Sequence, residues 1–365
     1  MNDPKKEAQK TRLPKWLIPL AAGFFAGVIL TLAVVGIVYA ASRRPYIPPD
    51  LPTDVEVLPN DPEKTPIFEN ATPLPALDHS ATKTAALGAE VAVLLDVSTG
   101  KVLASKEGQK RFDPASITKI MTLIVACERL SEEDLDEKVT ITEEIWTYAQ
   151  TGGYKDTDAF GFDPGDETTI RALLFGIGVS SFSDCTVPLV RKLAASEEEF
   201  VGWMNQKAQE LGLTSTHFDN AVGYESENNY STVEDLAVLT AYALKCDRIR
   251  EILSSSSYVF YFSGYTKSGE WKEGIRGTFY STLFNANGKG RIADYEKDTG
   301  KKFSLAKGTF DGGKTGSLKF DSKWKYSLAS FATIDGKTYV SVVGNSSSSA
   351  GLMKDVKSLF DGYVD

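Results

Sequence analysis

The stretch DPASITKIMTLIVACERL, residues 113–130, lies at the centre of the fold prediction. Its apolar residues recur with helical spacing, and Pro114 favours the start of a helix there. A hairpin pattern at 90–105 precedes the stretch, and a second one at 325–344, around an Asp-Gly turn, follows it near the end of the sequence. Strands at both ends with helices between them predict an α/β protein of the α+β type, with one antiparallel sheet and a helical insertion.

Helical patterns fill the interval between the two hairpins. The apolar periodicity predicts helices at 116–130, 167–179, 184–195, 197–211 and 231–245. A strand pattern returns at 257–263, and the sequence closes with an amphipathic helix at 351–364.

Ser116 and Lys119 are one helical turn apart, so their side chains share one face of the predicted helix. A serine hydroxyl is a weak nucleophile at neutral pH and needs a base. Because the chain has only two histidines, a lysine amine is the available base once burial or another cation removes its proton. Backbone N–H groups at the start of the helix can also receive an oxyanion. This spacing therefore predicts a nucleophile and its base.

The Ser-x-x-Lys spacing has low specificity by itself, because the chain contains five such tetrads. They begin at Ser80, Ser98, Ser116, Ser304 and Ser322. Only the tetrad at Ser116 opens a long helix with apolar periodicity, and the other four are interpreted as coincidence.

A Gly-Lys-Thr-Gly stretch at 313–316 is the second candidate feature, just before the C-terminal hairpin. At the edge of a sheet it offers a cation, a hydroxyl and a position where backbone can approach a ligand closely. That combination suits a substrate carboxylate. A similar Lys-Ser-Gly at 267–269 is interpreted as a loop between strands.

Composition narrows the function classes. The 365 residues include 40 basic and 49 acidic side chains, a net charge of −9, which argues against nucleic-acid binding. Two histidines and three cysteines without C-x-x-C spacing argue against a histidine-rich metal site and a disulfide scaffold. We therefore predict no metal, no cofactor and no nucleic-acid partner.

The N-terminal part of the chain divides into three segments before the predicted domain at 83–365. Residues 1–15 are basic, residues 16–41 form an uncharged apolar run of 26 residues, and residues 42–82 are rich in proline. Such a run is long enough to cross a bilayer core of about 30 Å, and bases before it keep the N-terminus inside. The segments predict a cytoplasmic tail, an uncleaved transmembrane signal-anchor and an extended extracytoplasmic linker.

The anchor places the predicted domain outside the cell membrane, in a single-pass protein. Val38-Tyr39-Ala40 resembles a small-residue cleavage site, so cleavage of the anchor stays open.

Five longer stretches carry a family resemblance: DPASITKIMT, FDPGDETTIRALLFGIGVSS, MNQKAQELGLTSTHFDNAVGYE, NYSTVEDLAVLTAYAL and GGKTG. In this order and spacing the chain resembles the D-alanyl-D-alanine carboxypeptidases, low-molecular-weight penicillin-binding proteins of serine peptidase family S11, over roughly residues 85–365. The resemblance implies the fold shared by penicillin-binding transpeptidases and serine β-lactamases. That fold has a five-stranded antiparallel sheet flanked by helices, and a helical subdomain with the site between them.

The resemblance also implies partners and residue roles. The partners are peptidoglycan stem peptides ending in D-Ala-D-Ala, and β-lactam antibiotics that acylate the same serine. Ser116 is the implied nucleophile, Lys119 its base, and Ser181 the middle-box serine that relays a proton toward the leaving amine. The implied substrate-binding residues are Ser183, Lys314, Thr315, Gly316 and Ser317.

Within that substrate-binding set the implied parts differ. Lys314 and Thr315 anchor the substrate carboxylate, and Gly316 lets the substrate approach the strand. Backbone N–H groups of Ser116 and Ser317 form the implied oxyanion hole.

The middle box departs from the family pattern Ser-Gly-Asn-Asp, because this chain has Ser181-Phe182-Ser183-Asp184. Ser183 lacks the amide of asparagine, and the loss of one such hydrogen bond costs about 1–3 kcal/mol. Phe182 stands where the family has glycine and has the bulk to crowd the groove. We therefore expect an active but weakened enzyme.

Three functions stay open on the sequence. The first is an active carboxypeptidase, and the second is a catalytically weakened scaffold or sensor of the cell-wall machinery. The third is a β-lactamase, whose deacylating glutamate has no clear counterpart, since Glu210-x-x-Leu213-Thr214 ends a predicted helix. Cys127 and Cys185 are expected to be buried apolar groups, with a 127–185 disulfide as the alternative outside the cell.

Overall fold

The computed structural model describes residues 55–59, 61, 63–69, 72, 74–151 and 158–364. The strands of this part of the chain are β1 (Lys83–Thr84), β2 (Val91–Asp96), β3 (Val102–Lys106), β4 (Lys138–Thr140), β5 (Glu167–Thr169), β6 (Ser257–Tyr265), β7 (Trp271–Tyr280), β8 (Thr309–Phe320), β9 (Lys323–Ile334) and β10 (Lys337–Ser346). The helices are α1 (Lys119–Cys127), α2 (Glu143–Ala149), α3 (Ile170–Phe175), α4 (Ser183–Leu193), α5 (Glu197–Glu210), α6 (Val233–Ala243), α7 (Asp247–Ser254), α8 (Arg291–Thr299) and α9 (Ser349–Tyr363).

The larger sheet has the strand order β1-β3-β2-β10-β9-β8. Its C-terminal strand β10 pairs antiparallel with both β2 and β9, with Val342 opposite Val93. The sheet is thus built from both ends of the domain, which confirms the predicted α+β fold. The five antiparallel strands implied by the family resemblance gain a sixth, because the two-residue β1 pairs parallel with β3.

A second sheet, with the order β4-β5-β6-β7, was predicted only in part, through the strand pattern at 257–263. Residues 167–169, predicted as the first turn of a helix, instead pair with β4 as strand β5, so that α3 begins only at Ile170. The Lys-Ser-Gly at 267–269 lies in the turn between β6 and β7, as predicted.

Hydrophobic cores pack on both faces of the larger sheet, because successive strand residues point to opposite sides. Leu94 and Leu328 pack with Phe360 of α9 on one face. Val93 and Phe331 pack on the other face with the helical part of the molecule, including α1. Each fully buried side chain of this size contributes about 1.5–3 kcal/mol. This second core fixes α1 against the sheet and thereby positions the candidate site.

The described part of the predicted 42–82 linker packs on the domain. Phe68 is buried and its N–H donates to the carbonyl of Cys127 at 3.0 Å, while the N–H of Ile67 donates to Leu130 at 2.7 Å. Farther along, the N–H of Asp78 donates to Gly100 at 2.9 Å. Proline content indicated extended backbone, but an apolar ring such as Phe68 is more stable when it is buried against the domain.

The predicted tail at 1–15 and the predicted membrane span at 16–41 lie outside the described residues. Among the residues that are described, no helix is both long and apolar enough to cross a bilayer.

Candidate active site

Ser116 lies in a 3-10 turn (Ala115–Thr118) that leads directly into α1. Ala115 has a φ of +49°, which costs energy for a residue with a Cβ, and its N–H donates to the Asp113 carboxylate at 2.8 Å. The side chains of Ser116 and Lys119 meet, with Oγ and Nζ 3.2 Å apart. The two side chains meet as their spacing predicted, while their roles as nucleophile and base stay a prediction; we call them the first Ser–Lys pair.

Lys119 is completely buried, with 0% of its surface exposed. Burial lowers the pKa of its amine to about 7, against an opposing influence from the Asp158 carboxylate. A lysine with this pKa is about half neutral at pH 7, so it can accept a proton from a neighbouring hydroxyl.

A loop at 220–224 holds the other side of the Lys119 amine, because the carbonyl of Val222 accepts a hydrogen bond from Nζ at 2.6 Å. Asn220 is buried and shapes this loop: its Oδ1 accepts from the N–H of Gly223 at 2.6 Å. Gly223 has a φ of +75°, and a Cβ there would lie 1.9 Å from the carbonyl oxygen of Ala115. Sequence reasoning missed both residues, although they lie in a stretch that carried the family resemblance.

A second Ser–Lys pair faces the first from the other side of the site. Ser181 Oγ and Lys314 Nζ are 2.8 Å apart and both side chains are buried. Burial lowers the pKa of Lys314 well below its usual range, and the charges of Lys119 and Arg291 lower it further. Ser181 follows a π-helical turn (Gly176–Ser180) and has a left-handed φ of +65°, an arrangement that often marks functional sites.

Strand β8 brings the Lys-Thr-Gly residues against the turn that carries Ser116. Thr315 Oγ1 lies 2.6 Å from Thr282 Oγ1. A Cβ at Gly316 would lie 2.8 Å from the carbonyl oxygen of Pro114, so the missing side chain lets β8 approach the turn that carries Ser116. Ser317 is exposed at the far end of this set.

Ser183 and Asp184 hold a neighbouring segment at 158–162. The N–H and the hydroxyl of Ser183 both donate to the carbonyl of Asp158, at 2.9 and 3.2 Å. The Asp184 carboxylate accepts from the N–H groups of Phe160 and Gly161, at 2.9 and 2.7 Å. Ser183 is therefore a buried supporting residue, and its contact with substrate stays a prediction.

The family model described as D-alanyl-D-alanine carboxypeptidase, Peptidase_S11, matches residues 78–288, more than half of the chain. The chain belongs to this family. The D-alanyl-D-alanine carboxypeptidase DacF of Bacillus subtilis is 34% identical over 194 residues, which are 53% of this chain and 48% of DacF. The D-alanyl-D-alanine carboxypeptidase of Streptomyces sp. strain K15 is 32% identical over 251 residues, 67% of this chain and 76% of that protein.

Solved structures support the same assignment. The crystal structure of the Streptomyces K15 DD-transpeptidase has a TM-score of 0.61 and 28% identity, covering 75% of this chain and 96% of that one. A D-alanyl-D-alanine carboxypeptidase from Mycobacterium tuberculosis, at 22% identity and a TM-score of 0.58, shares the fold. The sequence matches to the first curated relatives span about half of their length or less.

Phe182, the residue that replaces the glycine of the S11 pattern, joins a group of aromatic rings. Its ring centroid lies 5.8 Å from that of Phe279 and 6.4 Å from that of Phe160. We call the whole set the phenylalanine cluster; its members are Phe160, Phe162, Phe182, Phe260, Phe262 and Phe279. The bulk of Phe182 is therefore used in packing between the middle box and the second sheet.

Arg291, at the start of α8, is the main site residue of this S11 protein that sequence reasoning missed. Its guanidinium donates a hydrogen bond to the Ser317 hydroxyl and lies 4.6 Å above the ring of Tyr326. Its Nε is buried and has no hydrogen-bond partner among the described residues. No motif marked it, because it reaches the site only through the placement of α8.

The candidate site contains more basic than acidic side chains. Lys119, Lys314 and Arg291 contribute three basic groups; burial lowers the pKa of each, and the Asp158 carboxylate opposes that shift. The excess of basic groups over acidic ones suits an anionic ligand.

Proposed function

We propose that this S11 protein is a serine D-alanyl-D-alanine carboxypeptidase that removes the terminal D-Ala from peptidoglycan stem peptides. The observation that carries the proposal is the first Ser–Lys pair, in which a buried amine with a pKa of about 7 contacts the Ser116 hydroxyl. A serine nucleophile with a neutral amine as its base is suited to acyl transfer.

In the acylation step, Lys119 takes the proton of Ser116 while Oγ attacks the carbonyl carbon of the penultimate D-Ala. Backbone N–H groups of Ser116 and Ser317 stabilise the oxyanion. Ser181 passes a proton to the amine of the departing D-Ala, consistent with its contact to Lys314. Water then hydrolyses the acyl-enzyme with Lys119 again as the base.

Binding of the substrate relies on its terminal carboxylate. Lys314 and Thr315 line the strand that receives it, and Arg291 adds charge through its contact with Ser317. An incoming carboxylate raises the pKa of Lys314 and so restores its charge, because an opposite charge favours the ionised amine. β-lactams present a carboxylate beside a reactive carbonyl, and we propose that they acylate the same serine.

The proposed location is the cell membrane, with the carboxypeptidase domain on the extracytoplasmic side. It rests on the uncharged run at 16–41 and on the bases before it. Protease added to intact cells is expected to remove the domain while leaving the tail protected. Protection of the domain would contradict this placement.

The decisive experiment is covalent labelling by a fluorescent penicillin, together with D-Ala release from a pentapeptide. The wild type is expected to react in both assays, and Ser116→Ala in neither. Ser304→Ala is a matched control, because Ser304 also begins a Ser-x-x-Lys tetrad but is exposed. A folded wild type that releases no D-Ala would overturn the carboxypeptidase proposal.

A weakened scaffold or sensor of the cell-wall machinery is the second candidate. It is favoured by Ser183, which is buried and donates its hydroxyl to the carbonyl of Asp158. Retained binding of a stem peptide without release of D-Ala would support this function over the first.

A further inference from the structure

The three cysteines of the chain are buried and are not bonded to one another. Cys127 is the last residue of α1, and Cys246 precedes the first residue of α7. Their side chains lie close enough together for each thiol to shift the pKa of the other. The expected alternative pairing of Cys127 with Cys185 is not the one that the structure brings together.

Phe68 independently places the same two chain segments side by side. Its N–H donates to the carbonyl of Cys127 at 3.0 Å. Its ring packs against that of Tyr242, near the end of α6, with 4.9 Å between the centroids and 45° between the ring planes. Since α6 leads into Cys246 within a few residues, Phe68 packs beside the two chain segments that carry the cysteines.

Cys246 has a route to solvent that Cys127 lacks. It lines a surface pocket of about 540 Å³ together with Phe68, Glu132 and Arg248. The neighbouring Cys127 thiol lowers the pKa of Cys246 to about 7, and the backbone N–H groups of Ile249 and Arg248 act in the same direction. The pKa of Cys127 is raised well above its usual range by the Cys246 thiol and by burial. Cys246 is therefore the reactive thiol of the pair.

We propose that Cys127 and Cys246 form an oxidisable pair, which a peroxide converts into a disulfide. The Cys246 thiolate attacks one peroxide oxygen, so that an S–O bond forms, the O–O bond breaks and hydroxide leaves. The Cys127 sulfur then attacks Cys246 Sγ, so that the S–S bond forms and the S–O bond breaks, and water leaves with the Cys127 proton. The two thiols supply two electrons in total, and the peroxide is reduced to two waters.

The disulfide would join the helix that carries Lys119 to the helix that packs against the strand of Lys314. Cys127 ends the helix that begins with Lys119, and α7 packs against β8, where a Cβ at Gly312 would lie 2.2 Å from the carbonyl of Leu253. Because the cross-link closes a long loop, it restricts the unfolded chain and stabilises the fold. We expect oxidation to raise Tm by roughly 5 °C.

The test is peptide mapping without reduction, by mass spectrometry, on the full chain in detergent after treatment with hydrogen peroxide or dithiothreitol. A 127–246 link is expected in the oxidised wild type and in Cys185→Ala, and is lost in the dithiothreitol sample. A link that involves Cys185 would overturn the proposal. So would a folded protein in which Cys246 becomes a sulfinic acid without any link.

Two variants separate the steps. Cys127→Ser is expected to retain Cys246 as a sulfenic acid that reacts with dimedone, whereas Cys246→Ser leaves Cys127 unlabelled. An equal rise of Tm in oxidised Cys246→Ser would contradict the cross-link as its cause. If either variant fails to fold, the choice between Cys246 and Cys185 in the wild-type map still decides the proposal.

Discussion

The two Ser–Lys pairs of this S11 protein achieve similar contacts by different routes. Ser116 and Lys119 are three positions apart, so one turn of helix brings them within 3.2 Å. Ser181 and Lys314 are 133 positions apart and meet at 2.8 Å only because the helical part packs against the sheet. The first pair is therefore a local product of the chain, and the second depends on the whole domain. Substitutions near the first pair are therefore expected to act through local geometry, and those near the second pair through the packing of the domain.

The largest expected effect is that of Lys119→Ala. Removal of the base is expected to slow acylation of Ser116 by fluorescent penicillin by about 10³-fold, within the range for general-base catalysis. Because burial of the Lys119 amine is itself unfavourable, the free energy of unfolding should not fall in proportion. Lys307→Ala, in the tetrad that begins at the exposed Ser304, is the control and should react like the wild type. Equal rates in the two variants would mean that another group activates Ser116.

The next effect is a dependence on pH. Since the pKa of Lys119 is lowered to about 7, the neutral amine is present above that pH and lost below it. The acylation rate should rise about 50- to 100-fold between pH 5 and 8 and then level off. The same depressed pKa makes the fold more stable as pH rises from about 7 toward the value of an unfolded lysine, because the unfolded chain then binds more protons.

Asp113 provides the control for this profile, because burial raises the pKa of its carboxyl to about 6. In Asp113→Asn the midpoint should stay near 7. A midpoint that disappears in this variant would assign the profile to Asp113.

Gly223→Ala tests the local geometry around the first Ser–Lys pair. The new Cβ would meet the carbonyl of Ala115, next to Ser116, so we expect acylation to fall about 10- to 50-fold, equivalent to roughly 1.5–2.5 kcal/mol. Gly212→Ala is matched, because its φ of +71° is similar but no atom lies within 4 Å of the added Cβ. Gly212→Ala should cost about 1 kcal/mol of stability and leave acylation unchanged. If acylation falls equally in both variants, backbone strain alone, and not the contact with Ala115, explains the loss.

Arg291→Gln tests a contact of the site that depends on the packing of separate elements. Loss of the guanidinium should raise KM for a pentapeptide about tenfold with a smaller change in kcat, since a charge-assisted hydrogen bond contributes about 1.5–3 kcal/mol. Arg276→Gln, on the exposed part of β7, is the control and should leave both constants as they are. A change confined to kcat would place Arg291 in proton transfer instead of binding.

The smallest effect on acylation is expected for Phe182→Ala. Because the ring packs in the phenylalanine cluster, its loss should lower the free energy of unfolding by about 2–3 kcal/mol while acylation changes by less than about threefold. Phe320→Ala removes an exposed ring from β8 and should change neither. A tenfold gain in acylation by Phe182→Ala would show instead that the ring crowds the groove.

The elements that sequence reasoning located are those with local causes. The helix after Ser116 and the C-terminal hairpin were predicted because apolar periodicity and turn residues act over a few positions. Strand β5 was missed, since residues 167–169 become a strand only by pairing with β4. Phe68 was assigned to a linker for the same reason: its burial depends on a surface formed far away in the sequence.

The sequence by itself determined the Ser116–Lys119 spacing, the Lys-Thr-Gly strand and the family, because each is encoded by residue types at short, fixed spacings. Only the tertiary structure decided that Ser183 supports the 158–162 segment, that Arg291 reaches Ser317 and that Cys127 meets Cys246. These contacts join residues tens to more than a hundred positions apart, or depend on which way a side chain is buried. The packing of whole helices and strands determines these contacts, and no local sequence pattern predicts that packing.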